Sequence, residues 1–138
     1  MIKEKEVKEI LKNKLNFSSE SIHMLEKFVE ALLDYNKQYN LIAKSTESDV
    51  WSRHVLDSAQ LVKFINFQQP GSLADLGSGG GFPGLVLGIY NENLQFHVKL
   101  YEKSPVKCAF LSNFVQNRNI EIIKGDVNNY NLENKYII

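Results

Sequence analysis

Residues 73–84 read Leu73-Ala74-Asp75-Leu76-Gly77-Ser78-Gly79-Gly80-Gly81-Phe82-Pro83-Gly84. A short apolar strand carrying one carboxylate, Asp75, runs into a glycine-rich turn, and an apolar helix begins near Gly84. Strand, glycine turn and helix in that order let bare backbone approach a bound ligand beside a helix N-terminus. Four glycines within residues 77–81 exceed what a tight structural turn needs. A nucleotide-like ligand is expected here.

The ligand depends on register. Gly79, Gly81 and Gly84 spell G-x-G-x-x-G, the dinucleotide fingerprint, which is weak as a lone match. Gly77, Gly79 and Gly81 spell G-x-G-x-G, with Asp75 two residues ahead and the first glycine directly after the strand. This second register also accounts for the acid. A carboxylate at a strand end can reach the ammonium of a methionine moiety, whereas it would repel a pyrophosphate. S-adenosylmethionine is therefore the expected cofactor, with a dinucleotide as the rival.

The chain has 138 residues and a formal net charge of zero, with 43% hydrophobic and 23% charged residues. That suits one domain burying roughly two-thirds of its unfolded surface. No global basic field draws it to nucleic acid, so any RNA contact must come from a local patch. Cys108 is alone, which excludes an internal disulfide and a cysteine-built zinc site. Lying in Cys108-Ala109-Phe110-Leu111, it reads as a buried small hydrophobe rather than a nucleophile. No stretch approaches the ~20 apolar residues of a membrane span, and the lysine-bearing N-terminus lacks the apolar core of a signal peptide. The expectation is a cytoplasmic protein without a metal site.

Residues 1–64 read as a helical region packed on the same domain. Val7, Ile10, Leu11 and Leu15 recur at helical spacing. Ser18 or Ser19 is placed to cap a second helix, whose Ile22, Leu25, Phe28, Val29, Leu32 and Leu33 form one apolar face. A third helix is expected from Asp49 to Phe64, with Val50, Leu61, Val62 and Phe64 among its apolar positions. Residues 65–72, with Pro70-Gly71, form the connector, and 65–138 form a Rossmann-like cofactor-binding region. Strands are expected at 73–76, 95–101, 120–123 and from 135, with helices at 84–90 and from Pro105 to Arg118. The alternation predicts an α/β fold, a doubly wound sheet of parallel strands with the fourth strand beside the first. The chain stops within that fourth strand, so a truncated product or fragment is expected.

Glu102 ends the second strand, where an acid can accept both ribose hydroxyls. Asp126-Val127-Asn128 follows the third strand, where polar groups could meet an adenine, although a plain Gly-Asp turn reads equally well. In Arg53-His54-Val55-Leu56-Asp57-Ser58, a helix makes Arg53 and Asp57 neighbours and turns His54 toward Asp57 and Ser58. This is either a surface ion pair or an anchor beside the glycine loop. His54 and Asp57 lack the further ligands of a metal site.

Taken together, Asn40-Leu41-Ile42, Arg53-His54-x-x-Asp57-Ser58 and Asp75 through Phe82-Pro83-Gly84 resemble the bacterial glucose-inhibited division protein B family, the ribosomal RNA small-subunit methyltransferase G group. The resemblance continues through Glu102, Lys103, Lys107 and Ala109-Phe110-Leu111. It implies an S-adenosylmethionine-dependent enzyme that methylates N7 of a guanine in 16S ribosomal RNA, with the small ribosomal subunit as partner, acting as a monomer. On the family pattern Gly77 and Phe82 line the cofactor site, Glu102 is the acid of the second strand, and Val127 and Asn128 contact the adenosine. Asp75, Ser78, Gly79, Gly81 and Asp126 complete the expected cofactor set. Arg53, His54, Lys103 and Lys107 are the candidates on the substrate side. Asp126, Val127 and Asn128 depart from the family's basic, small and glutamate residues there, and the family's Ser/Ala-Arg-Ala segment lies beyond Ile138. A small-molecule methyltransferase, an NAD-binding oxidoreductase and an inactive fragment are the rival readings.

Overall fold

The computed structural model describes residues 2–115, 119–126 and 134–138. Among them, four parallel strands make one sheet: β1 (Gly71–Leu76), β2 (Phe96–Glu102), β3 (Ile120–Lys124) and β4 (Tyr136–Ile137), in the order β3-β2-β1-β4. Leu73 pairs with Val98, Asp75 with Leu100 and Val98 with Ile120, while Leu73 and Ala74 pair with Tyr136 and Ile137. The doubly wound expectation holds, with the fourth strand beside the first. Leu73, Ala74 and Asp75 are buried in succession, as a strand covered on both faces requires.

Two helices follow the strands. α4 (Gly84–Tyr90) is apolar throughout and has the predicted bounds. α5 (Pro105–Ser112) is capped by Ser104, whose Oγ accepts from Lys107 N, with Pro105 in the first turn where its missing N–H costs nothing. It is shorter than the predicted Pro105–Arg118. Asn113 closes it, and Phe114 then folds back onto Phe28 and Phe110. Arg118 lies outside the described residues.

The N-terminal helices build the rest of the core. α1 (Glu4–Asn13) buries Val7 and Leu11, and α2 (Ser19–Tyr35) buries Leu25, Phe28, Val29 and Leu32. Ser18 caps α2, its Oγ accepting from Ser21 N at 3.0 Å. Ser21 in turn donates to Ile89 O at 2.9 Å, a buried bond from α2 to α4. Lys8 reaches both Glu4 and Glu26 and lies 4.9 Å from the centre of the Trp51 ring, so α1, α2 and the next helical segment meet at one cation. Phe28 touches Phe82, Phe110 and Phe114. It joins α2 to the glycine turn and to α5.

The third helix departs most from expectation. It runs as a 3₁₀ turn (Lys44–Asp49), a π-helix (Trp51–Leu56), a single α turn α3 (Asp57–Ala59) and a second 3₁₀ turn (Gln60–Phe64). The buried pairs Val50-Trp51 and Val55-Leu56 stand five residues apart. That spacing suits the i→i+5 winding of a π turn and not the 3.6-residue period of an α-helix. Phe64, expected on the apolar face, is 76% exposed, because the closing 3₁₀ turn carries it outward while Leu61 and Val62 stay half-buried. No helix among the described residues is long and apolar enough to cross a membrane.

Phe28 is fully buried and touches three other phenylalanine rings. Phe28→Ala should therefore lower the unfolding free energy by about 3–5 kcal/mol, read as a lower urea midpoint at unchanged m-value. A loss under ~1 kcal/mol would show that the aromatic cluster does not hold α2 to the turn.

Candidate functional site

The turn after β1 lies at the C-terminal ends of the strands, the edge where open α/β sheets bind ligands. Leu76 is level with Tyr101, so the first glycine emerges beside Glu102 at the end of β2. Gly77 N and Ser78 N both donate to Tyr101 O, at 2.8 and 3.1 Å, which folds the turn over the tip of the neighbouring strand. Backbone φ is positive at Gly77 (77°), Gly79 (57°) and Gly81 (111°), the three positions of the G-x-G-x-G register. Gly84 meets a different need. A Cβ there would strike the Asp75 side chain and come within 2.5 Å of Leu100 Cδ2, so α4 could not approach the sheet.

Two buried carboxylates fix the turn from either side. Asp75 is 2% exposed, and its Oδ2 accepts from Gly84 N at 2.9 Å. Burial pushes its carboxyl up to about 6, with Glu102 adding to the rise and the Gly84 N–H and Ser78 hydroxyl opposing it. Glu102 Oε1 accepts from Gly79 N and Oε2 from Ser104 N, each at 2.8 Å. Each oxygen of Glu102 keeps a lone pair for a further donor. The Glu102 carbonyl accepts from Gly125 N at 3.1 Å, which draws the loop after β3 to the same edge.

The surfaces of the glycines differ. At Gly80 a Cβ would meet Leu41 O at 3.0 Å, and at Gly81 it would press on Phe28 and Leu85 at 3.1 Å. Among the described residues nothing lies within 4 Å of that position at Gly77, and at Gly79 only Gly77 O does, at 3.9 Å. Gly80 and Gly81 thus pack against the protein, while Gly77 and Gly79 offer bare backbone to open space. This is the cradle that a nucleoside cofactor needs. Gly84 N–H, at the start of α4, is already taken by the Asp75 carboxylate, so the helix end is not free to receive a pyrophosphate.

The remaining predicted residues fall around this edge. Phe82 stacks on His54, ring centres 5.0 Å apart, and leans on Phe28 at 5.4 Å. Arg53 does not turn forward to Asp57 as an α-helix predicts. Its Nε lies 3.8 Å from Asp49 Oδ2, because the π turn displaces the residues that follow. His54 likewise bonds Thr46 Oγ1 through Nε2 at 2.9 Å instead of pairing with Asp57 or Ser58. Lys103 is exposed and Lys107 half-exposed, both just past Glu102. Asp126 is exposed, whereas Val127 and Asn128 lie outside the described residues. Cys108 is half-buried rather than buried. Its Sγ–H donates to Glu102 O at 3.2 Å, and burial with Glu102 nearby pushes the thiol up against the pull of Lys124, which fits an unreactive thiol.

Asn36 escaped the sequence reading. It is 1% exposed at the end of α2. Its Oδ1 accepts from Leu41 N and Ile42 N at 2.9 and 3.0 Å, and its Nδ2 donates to Glu47 at 2.6 Å. This shapes the Leu41-Ile42 turn whose carbonyl backs Gly80. A lone Asn after an apolar helix reads only as a helix stop, so its reach into the next turn left no periodic signal.

A cleft of about 610 Å³ lies at the other end of the sheet, lined by Glu20, Lys27, Asn91, Leu94, Asn113 and Asn119. The Asn91 and Asn119 amides both donate to Phe96 O and the Asn113 amide donates to Phe110 O, so these three side chains serve the fold. The functional chemistry gathers at the glycine turn instead.

Comparison with known proteins points the same way. The family model described as rRNA small subunit methyltransferase G matches residues 21–138. Ribosomal RNA small subunit methyltransferase G of Bartonella tribocorum is 36% identical over 118 residues, covering 85% of this chain and 54% of that protein. The protein of that name from Rhizobium johnstonii is 38% identical over 125 residues, 90% of this chain and 58% of its own length. That from Rickettsia prowazekii is 40% identical over 111 residues, 79% and 56%. The chain spans about half the length of the curated relatives it matches.

Asp75 yields a prediction about pH. Its folded pKa of about 6 lies above the ordinary 3.8, so the protonated carboxyl favours the folded state below pH 3.8. That contribution is lost as pH rises through 6. In Asp75→Asn, which keeps an acceptor for Gly84 N–H, the loss should be absent. The stability of the variant relative to wild type should climb by up to about 3 kcal/mol from pH 4 to 7 and level off above. A pH-independent difference in urea unfolding would refute the perturbed carboxyl.

Proposed function

The chain belongs to the rRNA small subunit methyltransferase G family, and from that premise we propose that its glycine turn binds S-adenosylmethionine for methylation of guanine N7 in 16S ribosomal RNA. The observation that carries the reading is the open face of Gly77 and Gly79 between two buried carboxylates. Bound there, the cofactor would supply an electrophilic sulfonium methyl group. Gly77 and Gly79 would let the main chain approach it, Ser78 and Gly81 would shape the turn that presents them, and Phe82 would close one wall. Glu102 accepts from the ribose hydroxyls with the lone pairs that Gly79 and Ser104 leave over. Asp75 holds the start of α4 through Oδ2 and keeps Oδ1 for the ammonium. Asp126, Val127 and Asn128 are assigned to the adenine side.

Guanine N7 carries an unprotonated lone pair, so the attack on the methyl carbon needs no general base. The task left to the protein is alignment, worth at best about 7–11 kcal/mol. This fits a site whose acids are committed to backbone N–H groups. Arg53, Lys103 and Lys107 would hold RNA phosphates. The chain would act as a cytoplasmic monomer on the small ribosomal subunit.

Calorimetric titration with S-adenosylhomocysteine, with NAD as control, tests the cofactor. Saturable binding of S-adenosylhomocysteine alone is expected. Gly79→Ala, which puts a methyl group into the cradle at a left-handed φ, should weaken it at least about tenfold with a stability loss near 1 kcal/mol. Binding of NAD alone would reverse the assignment.

For the substrate, 16S RNA binding should weaken as salt rises, and Lys103→Ala with Lys107→Ala should reduce the logarithmic salt slope by about one to two. An unchanged slope in the double variant would remove both lysines from the interface.

A further inference from the structure

His54 sits in the π-helix and the Phe82 ring in the glycine turn, and the two rings stack at 5.0 Å with an interplanar angle of 28°. The far side of this contact is anchored as well. Thr46 Oγ1 donates its only proton to Ala43 O at 2.7 Å, so toward His54 it can act only as acceptor. The 2.9 Å contact between Thr46 Oγ1 and His54 Nε2 is then an Nε2–H donation, which assigns the tautomer and leaves Nδ1 unprotonated in the neutral ring. A chain of contacts thus runs from the Ala43 carbonyl through Thr46 and His54 to Phe82, the residue that follows Gly81.

We propose that His54 is a positioning residue: through the Thr46 bond at one end and the Phe82 stack at the other, it sets the wall of the cofactor cradle without contacting RNA. The proposal rests on the cofactor reading above and assigns His54 a role inside that site rather than on its rim. Three observations support it. The imidazole is half-buried, as a group presented to RNA would not need to be. Its pKa is pushed below 6.5 by burial, with Arg53 helping and Asp57 opposing, so the neutral tautomer prevails at pH 7. The π turn brings His54 to Thr46 on the preceding 3₁₀ turn and withdraws it from the expected contact with Asp57.

The test uses the 138-residue chain with three variants. His54→Phe keeps a ring and drops the donor, His54→Gln keeps a donor and drops the ring, and Thr46→Val removes the acceptor at similar size. Nitrogen NMR of wild type should show the Nε2–H tautomer at pH 7, with the ring protons of His54 shifted upfield by Phe82 and released in Phe82→Leu. His54→Phe and Thr46→Val should each weaken S-adenosylhomocysteine binding about fivefold. The double variant should lose about as much as either alone, because the two changes break one joint. His54→Gln should lose binding while keeping the bond to Thr46. Thermal midpoints within a few degrees of wild type would separate this from unfolding.

Unchanged affinity in all three variants, fully additive losses, or an Nδ1–H tautomer would each overturn the proposal. A folded wild type that binds no S-adenosylhomocysteine would overturn the cofactor reading and the positioning role built on it. The imidazole spectra would then still decide whether the joint itself exists.

Discussion

The structure turns on where two carboxylates spend their hydrogen bonds. A glycine turn is entropically expensive to order, and this one has four glycines within residues 77–81. Asp75 fastens its far end at Gly84 N–H, and Glu102 fastens its middle at Gly79 N–H. Both acids come from the tips of adjacent parallel strands, so the register between β1 and β2 dictates the shape of the loop. A slip of one residue in either strand would turn its acid to the opposite face and leave a buried N–H group without its partner.

Burying Asp75 beside Glu102 carries a cost, visible in a carboxyl pushed up to about 6. The fold offsets it with packing. Phe28 on α2 presses on the loop through Phe82 and on α5 through Phe110 and Phe114, and Leu41 backs Gly80. The N-terminal helices therefore form one core with the sheet and stand behind the very glycines that lack side chains of their own. The electrostatic strain and the hydrophobic brace thus meet at one turn, carried by different residues.

The sheet was legible in sequence because its signals are local. β1 centres on the apolar Leu73-Ala74, β2 alternates apolar and polar residues from Phe96 to Leu100, and the glycines required left-handed backbone where the register placed them. Ser18 and Pro105 announced their helices, and Glu102 announced the end of β2. The segment from Lys44 to Phe64 was not legible, since its periodicity mixes three helical windings and no single period fits Val50, Trp51, Val55 and Leu56 together with Phe64. The partners of Arg53 and His54 differ with it: Arg53 meets Asp49 behind it instead of Asp57 ahead, and His54 meets Thr46. Asn36 was missed for another reason, since a side chain that bonds a later turn has no spacing rule to betray it. Asp75 stood out as the one carboxylate in an apolar strand, but its engagement with Gly84 depends on how closely α4 approaches the sheet, which only the packed structure sets.

These features bear on how much chemistry the site must do. When a nucleophile already owns its lone pair and the electrophile comes with a good leaving group, a proton-transferring residue adds nothing. Positional accuracy is then the remaining source of rate. The two acids here are held by backbone N–H groups, and the Phe82 ring of the turn stacks on His54. Such a site is stiff by construction and depends on contacts far from the reacting atoms. Its sensitivity should accordingly lie in the supports as much as in the cradle. That is why a helix winding twenty residues upstream of the glycines belongs in any account of what the glycines do.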